Sequence, residues 1–124
     1  MPYGNELAGL GLNLLRRKEW TAAEGVLRDS LAIREAKAPN TWAPFNTRSM
    51  LGAALLGQQR YAEAEPLLLE GYEGLQRHKA EIPAQSKDRH IREALERLAN
   101  LYDAWNKPTD AAKWRAELQA PPRK

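Results

Sequence analysis

The stretch QRYAEAEPLLLEGY, residues 59–72, decides how this chain folds, because an earlier stretch, KEWTAAEGVLRDSL at 18–31, follows the same grammar. Trp20 falls on Tyr61, Ala23 on Ala64 and Leu27 on Leu68, each 41 residues apart. The match extends backward: Leu10, Gly11 and Leu14 stand where Leu51, Gly52 and Leu55 stand one unit later. A third, weaker copy, in which Leu98, Ala99, Tyr102 and Ala111 keep the order of large and small residues, follows at an offset of 47. Self-similarity of this period is the mark of a repeat architecture, in which each unit buries its apolar face on its neighbours rather than around one centre.

The leucines recur at spacings of three and four, as in Leu7, Leu10 and Leu14 or Leu95, Leu98 and Tyr102, which places them on one face of a helix. Short breaks at RKE, GQQR and NKPTD divide each unit into two helices, and longer breaks rich in Pro, Asn and Ser, APNTWAP and AEIPAQSKD, divide the units. The pattern predicts helices over about 4–17, 20–37, 43–57, 60–79, 86–106 and 108–119. The expected architecture is all-α: a right-handed solenoid of three antiparallel helix pairs in one domain, with units at about 4–37, 43–79 and 86–119 and a flexible tail at 120–124.

Glycine inside a helix costs about 1 kcal/mol relative to alanine, so Gly11 and Gly52 need a packing reason. Close crossing of the two helices of a unit supplies one, with Gly11 expected against Ala23 and Gly52 against Ala64. Trp20 and Tyr61 open the second helices, where a large ring can plug the junction to the next unit; Pro108 takes that place in the third unit and suits a helix's first turn. Pro66 is expected on the solvent side of its helix, with a bend there. Trp42 and Phe45, at a unit boundary beside Pro44, are read as core.

The 124 residues include 43% apolar and 28% charged residues, an ordinary balance for a folded domain. There is no cysteine, which rules out a disulfide framework and thiolate chemistry and favours an intracellular, cytoplasmic setting. The amino terminus lacks the basic start and apolar block of a secretory signal, and no run is long enough for a membrane span. The net charge of +3 comes from interleaved signs, as in SKDRHIRE, so neither a nucleic-acid nor a membrane partner is expected. His78 and His90 read as surface residues rather than metal ligands, Glu63, Glu65, Glu70 and Glu73 as a solvated helix face, and Gly9 to Gly11 as packing rather than a phosphate loop. No catalytic, cofactor or metal site is expected.

The residues Leu10, Gly11, Leu14, Trp20, Ala23 and Leu27, their counterparts Leu51, Gly52, Leu55, Tyr61, Ala64 and Leu68, and the third set Leu98, Ala99, Tyr102 and Ala111 resemble the tetratricopeptide repeat. The period above 40 and the phrase YAEAEPLLLEGYE are similar to the long variant of kinesin light chains; the run from Asn46 to Leu75 and the terminal KWRAEL are similar to repeats in the tails of planctomycete-type multidomain serine/threonine kinases. Arg115 and Leu118 depart from the pattern, which asks for a large apolar and a small residue there.

The resemblance implies a non-catalytic module that binds a peptide or helix in a concave groove lined by the first helices of the units. On this chain the inward sites would be Ala8, Gly9, Leu12 and Arg16, then Ser49, Met50, Ala53 and Leu56, then Glu96, Arg97, Asn100 and Asp103. Arg16, Arg48 and Arg97 would anchor an acidic peptide or pair internally with Glu93 or Glu96. The residues with which some members grip a terminal carboxylate are not reproduced. The alternative is a structural role, in which Leu7, Leu10 and Leu12 pack on further repeats or on a second copy in a homodimer.

Overall fold

The computed structural model describes residues 4–120. Six helices follow one another: α1 (Gly4–Arg16), α2 (Trp20–Lys37), α3 (Trp42–Gly57), α4 (Tyr61–Arg77), α5 (Lys87–Ala104) and α6 (Pro108–Gln119). A short 3₁₀ turn, Lys79–Glu81, which the sequence pattern did not indicate, fills part of the longer link between α4 and α5. No strand occurs among the described residues, and residues 121–124 of the expected tail lie outside them.

Each helix packs on the next, and the first helices of successive pairs also touch, α1 on α3 and α3 on α5. Such contacts string the pairs in line, with α3 in the middle. Its position explains its sequence: α3 is buried at Phe45, Thr47, Ser49, Met50, Leu51, Ala54 and Leu55, on nearly every side, whereas α1 keeps a polar face.

The three pairs turn in the same way. Lys18, Gln59 and Asn106 adopt the left-handed backbone conformation, with φ of 60°, 63° and 61°. One residue later the amides of Glu19, Arg60 and Lys107 reach back five residues to the carbonyls of Leu14, Leu55 and Tyr102, at 2.9, 3.0 and 2.8 Å. This pairing satisfies carbonyls that a helix end would otherwise leave open and fixes the reversal of the chain. The same offsets of 41 and 47 relate all three turns, which anchors the register of the third unit where its apolar pattern is weakest.

Past each turn the helices close on the glycines, though the partner differs from the expected alanine. A methyl carbon on Gly11 would stand 2.4 Å from Leu27 Cδ2, and one on Gly52 would stand 2.6 Å from Leu68 Cγ. Leu27 and Leu68 are fully buried. The missing side chain receives a leucine rather than bringing two small residues face to face, because a leucine filling the notch removes more apolar surface from water, on the order of 2 kcal/mol for a whole side chain. Ala64 contributes only its carbonyl oxygen, 3.3 Å from the same point above Gly52.

Between units the rings that open the second helices seat on the end of the following first helix. Trp20 lies so close to Gly57 that a methyl carbon there would fall 2.1 Å from the indole, and Tyr61 faces Trp105 with ring centres 5.9 Å apart. Polar bonds run beside them. Glu24 on α2 accepts from Gln58 and Arg60 at the α3–α4 turn, both at 2.9 Å, and Tyr102 on α5 donates to Glu65 on α4 at 2.7 Å. The Gln58 amide, with Arg28 and Arg60, holds the Glu24 carboxyl below its ordinary pKa. Pro66 is exposed, and α4 runs through it from Tyr61 to Arg77 without interruption.

Two glycines of the same type should respond oppositely to one added methyl. Gly52→Ala forces the buried Leu68 aside and is expected to cost about 1–3 kcal/mol. Gly25→Ala, in the middle of α2 with nothing within 4 Å of the new carbon, is expected to gain about 1 kcal/mol. Urea denaturation followed by circular dichroism reads both; a Gly52→Ala protein as stable as the parent would contradict the tight crossing.

Candidate partner-binding surface

The first helices α1, α3 and α5 lie side by side, and the inward sites named from the sequence divide by depth. Ser49 and Met50 are buried at 0% and 3% exposure and so stand beneath the surface rather than on it. Met50 packs into a cluster with Ala8, Leu15 and Leu51, with Leu12 and Ala53 against it. Packing between adjacent first helices consumes these side chains. Left with access to solvent are Leu12 and Arg16 on α1, Ala53 and Leu56 on α3, and Glu96, Arg97, Asn100 and Asp103 on α5; Gly9 is exposed as well.

Leu12, Ala53 and Leu56 are half-buried, Leu12 and Ala53 against the cluster around Met50 and Leu56 against the cluster around Leu98. Arg16 is exposed on one side and has no ion-pair partner among the described residues. On the other side Asp103 is paired with Arg115 of α6. Arg115 occupies the place of Leu27 and Leu68, so the third pair replaces the leucine of its crossing with an ion pair.

Arg97 is the most unusual group. It occupies the place of Met50 in the contact between first helices, and its Nη1 donates to the Ser49 hydroxyl at 3.0 Å. Burial lowers the pKa of its guanidinium, an effect that Glu93 and Glu96 oppose. The expected pairing with these glutamates is thus electrostatic, while the direct hydrogen bond goes to a neutral hydroxyl. A guanidinium carries five donor hydrogens, and one neutral acceptor meets little of that capacity. Arg48, the third arginine considered as an anchor, is turned away to pair with Glu35 of α2. Arg34, not singled out in the sequence, joins three helices: it donates to Asn5 and Thr47 at 2.8 Å each and to the carbonyl of Ala43 at 3.4 Å. Nothing in its local sequence marks this role, since it depends on α1 and α3 meeting α2.

The two histidines are packed rather than displayed. His78 stacks on Phe45 with ring centres 5.5 Å apart and bonds Glu81 at 2.9 Å. His90 lies 4.9 Å from Trp42, where burial and the neighbouring Arg89 lower its pKa. Both face rings at the start of α3, and sequence distance hid that proximity. Phe45 is buried, as expected, while Trp42 is half-buried over the cluster of Phe45, Leu75, Ile82 and Ala94. No group of three or more metal-binding side chains occurs among the described residues, and no helix there is long and apolar enough to cross a membrane.

A half-buried cation whose direct bond goes to a neutral hydroxyl should lower stability relative to an apolar residue of similar size. Arg97→Met, which copies the arrangement at Met50, is therefore expected to raise the unfolding free energy by up to about 1 kcal/mol. A loss of stability measured by denaturant titration would show that Arg97 is a structural tie.

In comparison with known families, residues 46–78 match the model described as tetratricopeptide repeat. No match was found among curated proteins or among solved structures. The matched segment begins in α3, crosses the Gln59 turn and the Gly52–Leu68 interlock, and ends just past α4. The α3–α4 part of the chain is thus similar to a tetratricopeptide repeat.

Proposed function

We propose that this chain is a non-catalytic protein–protein interaction module whose concave face, built from α1, α3 and α5, takes up an extended or helical segment of another protein. The observation that carries this reading is the in-line packing of α1 on α3 and α3 on α5, with Leu12, Ala53 and Leu56 half-buried on the first two of these helices. Tetratricopeptide repeats generally serve protein–protein interaction, which supports it. A preformed surface on rigid helices lowers the ordering cost of binding. Arg16 at one edge and Glu96 with Asn100 at the other give the face a direction, so a partner segment would carry acidic groups toward α1 and donors toward α5. The offsets of 41 and 47 residues support kinship with the long-period variant of the repeat, and a cytoplasmic location belongs to the same proposal.

One observation favours self-association as a second reading. Leu10 is 47% exposed, whereas its counterparts Leu51 and Leu98 are covered to 1% and 0% by the preceding unit. A second copy could cover it, giving a homodimer.

Exposed positions make the clean test of the groove. An Arg16→Glu, Asn100→Arg double variant should keep its helical content and lose the proteins that the parent chain captures from its source cell; identical captures would contradict groove binding. For the second reading, sedimentation over a wide concentration range should show mass rising with concentration and Leu10→Glu abolishing the rise. A monomer mass throughout would rule it out.

A further inference from the structure

The second helices carry corresponding residues deep in each pair: Ser30 in α2, Gly71 in α4 and Leu118 in α6. Ser30 is fully buried, and its hydroxyl donates to the carbonyl of Gly4 at 2.8 Å. A methyl carbon on Gly71 would stand 2.8 Å from both the Phe45 carbonyl oxygen and the Ser49 amide nitrogen, so α4 lies directly against the backbone of α3. Leucine is too large for such a seam. Leu118 is accordingly only half-buried, and a cleft of about 670 Å³ lies where the ends of α4, α5 and α6 meet.

Tyr72, Ile91, Leu95 and Leu118 give the cleft an apolar wall. Tyr72 is held in place by Gln76, which donates to its hydroxyl at 2.8 Å, and by the edge of Trp114 at 5.5 Å. Lys79, Lys87 and Arg92 also line it, and none of the three is paired with a carboxylate among the described residues. Two carboxylates share the lining, Asp88 and Glu117. Asp88 sits in the first turn of α5, where the helix dipole favours a negative charge, and Glu117 is not free. Cationic charge therefore prevails beside an apolar surface, in a space within the range that binds ligands.

We propose that this cleft is a second binding site, separate from the concave face, for a short protein segment that places one or two large apolar side chains among acidic ones. The apolar side chain rests on Tyr72, Ile91, Leu95 and Leu118, and flanking carboxylates pair with Lys79, Lys87 and Arg92 through charge-assisted hydrogen bonds. Leu118 sets the third pair apart from the first two, where the small residues Ser30 and Gly71 hold the corresponding place.

The probe is a fluorescein-labelled, end-capped peptide in which a leucine–phenylalanine pair is flanked on each side by two glutamates, with lysines replacing the glutamates in a control. Fluorescence anisotropy with the full chain should show saturable binding of the acidic peptide, weakened by added salt, and at least tenfold poorer binding of the lysine control. Lys87→Glu with Arg92→Glu should weaken the acidic peptide at least tenfold, and Leu118→Ala should weaken it by letting α6 settle on α5. Circular dichroism confirms the fold of each variant. The Arg16→Glu, Asn100→Arg groove variant should bind the peptide as the parent does, which separates failure of the groove from failure of the cleft. Equal binding of both peptides, no effect of the paired charge reversal, or an equal loss in the groove variant would overturn the proposal.

Discussion

A leucine side chain lying in the notch left by a glycine on the facing helix holds the first two pairs of this molecule together. Leu27 enters above Gly11 and Leu68 above Gly52, and each leucine is fully sealed from water. The arrangement is specific because it is short-ranged: a methyl on either glycine would overlap the leucine, so the helices approach as far as the backbone allows and no further. The helix pays about 1 kcal/mol in propensity at each glycine, and the buried leucine returns more than that. The left-handed residue and the five-residue reach-back at each turn set the phase at which the facing helices meet, so turn and crossing act as one unit.

Given such pairs, the joints between them follow. The ring at the head of α2 and of α4 needs a flat seat, and the end of the next first helix provides it, as Gly57 under Trp20 and as Trp105 beside Tyr61. Adjacent polar bonds, Glu24 with Gln58 and Arg60, and Glu65 with Tyr102, add direction to contacts that apolar packing alone would leave free to slide. The third pair breaks the rules at three points. Ala99 replaces the glycine, Arg115 the leucine that would enter it, and Leu118 the small residue deep in the pair. Their combined effect is a looser pair, with the exposed Asp103–Arg115 ion pair where the other two bury a leucine, and a cleft at its far end.

The architecture was legible because repetition multiplies a weak signal: helix periodicity in one unit is ambiguous, but the same Leu, Gly, Leu and aromatic spacing at a fixed offset fixes the boundaries of two. The crossing was placed one turn early, on Ala23 and Ala64, because sequence marks where volume is missing and not which neighbour fills it. The surface was less legible. Ser49 and Met50 share an inward register with Ala53 and Leu56, yet burial between adjacent first helices depends on how closely they pack, which no single helix encodes. Arg97 and His90 meet their neighbours across dozens of residues of chain, so their desolvation had no local trace. Arg34 is the extreme case, since each of its acceptors belongs to a helix other than its own.

The account rests on interlocked pairs strung in line, and nuclear Overhauser contacts measured on the isotopically labelled chain test it most directly. The expected spectrum joins the Gly11 α-protons to the Leu27 methyls and the Gly52 α-protons to the Leu68 methyls, and joins Trp20 to Gly57, with no contacts between α1 and α6. Cross-peaks linking α1 to α6, or leucine methyls remote from both glycines, would mean that the six helices close into a bundle and would contradict it.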